Sequence, residues 1–183
     1  MSKEVTAAPT NVKFSSGVTE ILRRRADSLA QESVEESISD FIGLLLFRLG
    51  EEWYAVRVED VREIYQEYRI TPVPCVPDSI LGVVNIRGEI ISVTDVARLM
   101  GLGQLTVELE QAPAIVVQNE EVTSAMVVDE IGDIVDIPRD SVEPPLSTMD
   151  KTQAEFIAGS VYLDSRLVGL VNVDRILEPI GLA

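Results

Sequence analysis

The sequence predicts a mainly β protein: two small closed barrels of about five strands each, with short helices. Three observations lead there. From Phe41 onward apolar residues alternate with period two, the apolar runs are broken by tight-turn signals, and the second half repeats the plan of the first.

The elements follow in chain order. Residues 1–40 differ from the rest and are expected to form a flexible leader. Within it, "TEILRRRADSLAQESVEESISD" places Leu22, Ala26 and Leu29 at helical spacing. Thr19 is a fair N-cap, but the late turns carry Glu32, Glu35, Glu36 and Asp40, which oppose the helix dipole. A marginal helix over part of the leader is the expectation. Next, "FIGLLLFRLGEEWYAVRV" offers two apolar runs around Gly50-Glu51-Glu52, a hairpin. Tyr54, Val56 and Val58 alternate with Trp53, Ala55 and Arg57, so one face is expected in a core. "RITPVPCVPDSI" holds Pro72, Pro74 and Pro77 and reads as a rigid extended connector between β elements. "LGVVNIRGEIISVTDVARLM" is a second hairpin leading into a short helix N-capped by Asp95 and stopped by Gly101.

The repeat appears at two offsets. At 70 residues, Glu51, Ala55, Val58 and Ile64 fall on Glu121, Ala125, Val128 and Ile134; Val61 and Glu63 find near-equivalents in Ile131 and Asp133. At 77 residues, Gly82, Val84, Ile86, Ile91 and Arg98 fall on Gly159, Val161, Leu163, Val168 and Arg175. Asp95 falls on Asn172, a second N-cap, and Pro179 stops that helix. The difference between the offsets marks an insertion in the second half. The first barrel is therefore expected mainly over 41–100, the connector over 101–111 and the second barrel mainly over 112–183. Exchange of strands between the barrels is a further option.

Composition narrows the function. The chain has 183 residues and a single cysteine, Cys75, so no intrachain disulfide forms. A chain this long buries roughly 70% of its unfolded surface and needs no covalent staple. There is no histidine, which removes the commonest general base, the usual hydrolase triads and a phosphohistidine relay. Net charge is −16, with 15 basic and 31 acidic residues. A nucleic-acid face and a polybasic lipid anchor are both unexpected. No 18-residue apolar run and no secretory signal are visible, so a cytoplasmic location without membrane insertion is expected.

Candidate chemistry is sparse. "VVDEIGDIVDIPRD" gathers Asp129, Glu130, Asp133, Asp136 and Asp140, but Gly132 is off register for a calcium loop, and a solvated acidic face is the simpler reading. Gly101 and Gly103 lack the rest of a phosphate-binding pattern. No cofactor or metal is expected. In "VVNIR", Val84 and Ile86 face one way while Val83, Asn85 and Arg87 face the other. Arg87-Gly88 then makes the turn, with Gly supplying a positive φ. The second copy has Tyr162 and Asp164 instead of Asn85 and Arg87, so one specialised tip sits on a duplicated scaffold.

These residues carry a family resemblance. Gly82, Val83, Asn85, Arg87 and Gly88, followed by Asp95 and Val96, resemble the signature of the CheW-like domain of bacterial chemosensory systems. "LFRLGEEWYAVRVEDVREI" and "LVGLVNVDRIL" resemble its opening and closing segments, so the resemblance spans about 41–180. Ser92 departs from it, because the family often has Pro there. The resemblance implies two packed five-stranded barrels of the Src-homology-3 type and a non-enzymatic adaptor. Such adaptors join the cytoplasmic tip of chemoreceptors to the regulatory domain of a CheA-type histidine kinase, within membrane receptor arrays. It implies partner-binding roles for Val61, Glu63 and Arg87, and with them Asn85 and Gly88 of the turn. An ion pair between Arg87 and Glu63 is a further expectation. Two alternatives stand beside it: an adaptor for a pathway controlling pili or a second messenger, and an acidic β-barrel hydrolase. The start at Met1 and end at Ala183 lead to the expectation of a stand-alone adaptor rather than a kinase fragment.

Overall fold

The computed structural model describes residues 40–178. The expected leader helix and the Pro179 stop lie outside them. The strands are β1 (Phe41–Leu49), β2 (Glu52–Arg57), β3 (Val61–Tyr65), β4 (Ile80–Ile86), β5 (Glu89–Asp95), β6 (Ala114–Gln118), β7 (Thr123–Val127), β8 (Glu130–Pro138), β9 (Ile157–Leu163) and β10 (Arg166–Val171). The described helices are one-turn elements: α1 (Val96–Leu99), α2 (Lys151–Glu155) and α3 (Val173–Leu177).

Two five-stranded sheets result, ordered β8-β1-β2-β10-β9 and β3-β6-β7-β5-β4. Neither is contiguous in sequence. The hairpin β1–β2, expected with the strands up to residue 100, joins β8, β9 and β10; β6–β7 joins β3, β4 and β5. Each sheet takes one hairpin from one half and three strands from the other, so the connector at 101–111 does not divide one sheet from the other. The parallel pairs β2·β10 and β5·β7 make the exchange. Parallel neighbours cannot be linked by a tight turn, so partners distant in sequence are what such pairing requires.

The duplication holds at the level of register. Phe47 faces Ile131 as Val117 faces Val61, and Leu45 faces Ile134 as Ile115 faces Ile64. Tyr54 opposite Gly169 corresponds to Ser124 opposite Ser92. Each sheet rolls up and is closed by a single bridge. Thr71 and Val83 exchange hydrogen bonds of 2.8 and 2.9 Å, joining the chain after β3 to β4. Glu143 and Ser160 exchange two of 2.8 Å, joining the chain after β8 to β9. Gly82 and Gly159 sit beside these bridges. A Cβ would stand 2.3 Å from the Thr71 carbonyl oxygen at Gly82 and 2.7 Å from that of Glu143 at Gly159.

Three apolar clusters hold the fold. Val84, Ile86, Ile91 and Val93 fill one barrel, and Leu44, Ala55, Val161 and Leu170 the other. The largest joins both sheets through Phe47, Tyr54, Met126 and α3. This corrects the one-faced reading of β2. Tyr54 and Val56 enter the joining cluster while Ala55 enters a barrel, so both faces are buried. The acidic segment 129–140 is also corrected at one position. Glu130, Asp133, Asp136 and Asp140 are exposed, but Asp129 is buried. Its carboxylate accepts backbone N–H bonds from Gly50 at 2.7 Å, Thr106 at 2.5 Å and Val107 at 3.2 Å. Burial raises its pKa, yet these donors outweigh burial and leave it below the ordinary carboxylate value. The connector is thereby pinned to the first hairpin, and its Leu105, Val107 and Leu109 pack against one barrel core.

Candidate docking surface

β4 presents Val84 and Ile86 to the barrel core, so Asn85 and Arg87 stand outward as the period-two pattern requires. Ile86 pairs with Glu89, leaving Arg87-Gly88 as a two-residue turn. Both residues have positive φ, 53° at Arg87 and 89° at Gly88, the pattern of a type I′ hairpin. The expected positive φ at Gly88 is therefore only half of the turn. Arg87 itself is held in the left-handed region, which costs a non-glycine residue roughly 1 kcal/mol. Asn85 offsets part of this, because its Oδ1 accepts the Gly88 N–H at 2.9 Å. At the equivalent tip, Asp164 and Ser165 also have positive φ, so the backbone is shared and only the side chains differ.

Arg87 Nη2 lies 3.1 Å from Glu63 Oε2. Arg87 is 74% exposed and Glu63 20%, so the carboxylate is the fixed partner and the guanidinium the accessible one. Glu63 also accepts the Tyr65 hydroxyl, and that hydrogen bond lifts the phenol's pKa above its ordinary value. A second pair, Arg62 Nη1 to Glu89 Oε2 at 2.7 Å, runs beside the first in the opposite sense. β3 and the tip thus each supply one cation and one anion. These pairs span the closure of the barrel, since β3 and β4 are the two outermost strands of their sheet.

Of the residues the sequence pointed to, the structure brings Glu63, Asn85, Arg87 and Gly88 together. Val61 sits apart from the exposed set: it is half-buried and packs against the cluster joining the sheets. Sequence reasoning missed Arg62, Glu89 and Tyr65. The available signal was charge order, Arg62-Glu63 against Arg87 and Glu89, which only pays off once β3 is known to meet the tip.

The architecture is thus two barrels that exchange strands, one carrying a charged, exposed hairpin tip braced on an edge strand. A family model, the CheW-like domain, matches residues 43–180. The chain belongs to the CheW-like domain family. It is 30% identical over 138 residues to chemotaxis protein CheW of Treponema pallidum, covering 74% of this chain and 81% of that one. It is 26% identical over 149 residues to chemotaxis protein CheW of Thermotoga maritima, covering 81% and 95%. Protein PilI of Pseudomonas aeruginosa is 27% identical over 137 residues, covering 75% of each. Among solved structures, the scaffolding protein TtCheW from Thermoanaerobacter tengcongensis superposes with a TM-score of 0.66 at 27% identity, covering 72% of this chain and 88% of that chain. Membership makes this an adaptor-class chain of chemosensory signalling.

Proposed function

We propose that the chain is a non-enzymatic adaptor that couples the cytoplasmic tip of chemoreceptors to the regulatory domain of a CheA-type histidine kinase. The observation that carries this reading is the Arg87–Glu63 pair on a strained, exposed tip, within a chain of the CheW-like family. Glu63 and Arg87 are the contact residues. Asn85 and Gly88 act by holding the turn, and Val61 by anchoring β3 to the core. The absence of histidine from the sequence supports a binding role over hydrolysis. Among the described residues, no helix is long and apolar enough to cross a membrane and no group of three or more His, Cys, Asp or Glu is placed to hold a metal. Recruitment to receptor arrays from the cytoplasm fits this role.

The similarity to PilI, at an identity comparable with the CheW relatives, favours a second reading: the same adaptor role in a different chemosensory output. Affinity purification from the native host tests both. Recovery of a receptor together with a histidine kinase is expected, and the kinase's neighbours identify the output. Recovery of neither would sink the adaptor reading.

A further inference from the structure

The tip is one wall of a cleft. The end of β3 and the chain after it supply the other, through Tyr65, Tyr68 and Arg69. Its floor is apolar, because the lining residues Val84 and Ile86 are buried in the barrel core. Tyr68 is fixed by donating its hydroxyl to the Ala112 carbonyl at 2.6 Å, and its ring packs against the same core. Two guanidiniums line the cleft, those of Arg69 and Arg87, with the exposed Glu67 as the carboxylate among the lining residues.

Most arginines among the described residues are ion-paired, but Arg69, Arg139 and Arg166 are not, and of these three only Arg69 lines the cleft. Net charge is −16, and Arg48, Arg57, Arg62, Arg98 and Arg175 each engage a carboxylate. Arg69 is exposed and makes no ion pair among the described residues. An exposed guanidinium with no ion pair among the described residues, set beside an apolar floor, is complementary to an incoming anion. Guanidiniums bind carboxylates with directed, charge-assisted hydrogen bonds. The aromatic wall and apolar floor suit the aliphatic stem of such a side chain.

We propose that this cleft receives an acidic side chain of the protein partner, its carboxylate held between Arg69 and Arg87 and its stem against Tyr65 and Tyr68. The proposal rests on the adaptor reading and adds Arg69 as a residue that determines which partner segment binds. Glu67, on the rim, opposes the same anion.

Binding of the full chain to the kinase regulatory domain, and separately to a receptor-tip segment, is measured by titration at low and high salt. Arg69→Glu is expected to weaken at least one partner about tenfold or more, with Arg69→Ala less affected. The loss shrinks at high salt, because exposed charges are screened. Glu67→Gln tightens the same partner. Arg69 makes no ion pair among the described residues, so melting temperatures are expected to stay at the wild-type value and serve as the folding control. If Arg69→Glu binds both partners like wild type while Arg87→Ala is weakened, the cleft assignment falls and the adaptor reading stands. If Arg87→Ala also binds both normally, the docking surface itself is misassigned.

Discussion

Arg87 combines two properties that a residue kept only for stability would not need: a left-handed backbone and a mostly solvent-facing charge. Its ion pair with Glu63 contributes at most about 1 kcal/mol at such exposure. Arg87→Gly removes both the charge and the backbone strain, so its melting temperature is expected within a few degrees of wild type. A large drop, read by circular dichroism, would show that the pair is structural instead. Asp129 is the opposite case, a buried carboxylate whose value lies in the fold. Its pKa is depressed in the folded state, so its stabilisation is present above the unfolded value of about 4 and is lost as pH falls through the folded value. Wild type should therefore melt higher than Asp129→Asn at neutral pH, with the gap closing on acidification. A gap independent of pH would contradict the backbone clasp. The acidic composition around Asp129 concealed it, because a buried and a solvated aspartate read alike in sequence.

Among the elements, the hairpins, their turns and the caps were legible in local pattern. Asp95 accepts the Arg98 N–H and Asn172 the Arg175 N–H, as their repeat positions suggested. The side-chain directions in β4 were legible too, because that strand has one solvated face. β2 was not, because a strand shared between a barrel core and the inter-sheet cluster loses its polar face. Ser92, a departure from the family pattern, gains a reason: its Oγ donates to Ser124 Oγ at 2.9 Å, where the other sheet packs Tyr54 on Gly169. The closing bridges give a matched prediction. Gly82→Ala drives a Cβ against the Thr71 carbonyl and is expected to destabilise by roughly 2–4 kcal/mol in denaturant titrations. Gly88→Ala meets no atom within 4 Å and should cost only about 1 kcal/mol, from its positive φ. Equal costs would mean that Gly82 is not packed against the bridge.

For the whole molecule, the repeat could be read from sequence, but exchange of strands stood there only as an option, with no strand pairs assigned. Offsets of 70 and 77 residues relate strands that are equivalent; they do not say which equivalent strands pair. Pairing was decided by the parallel β2·β10 and β5·β7 contacts, which have no local signature. The consequence is cooperative folding. Residues 1–111 and 112–183 each lack strands of both sheets, so each fragment alone should show little sheet by circular dichroism, and mixing them should restore it. A fragment that folds by itself would contradict the exchanged topology. Exchange also sets the frame that carries the tip: β3 and β4 close one barrel whose central hairpin, β6–β7, comes from the other half.

The central claim is that the β3–tip surface exists for docking and not for stability. Its most direct measurement is the affinity of Arg87→Gly for the CheA-type kinase regulatory domain and for a receptor-tip segment, with melting followed on the same samples. The predicted result is a loss of affinity for at least one partner of about tenfold or more, at unchanged stability. Wild-type affinity for both partners in a fully folded variant would contradict it.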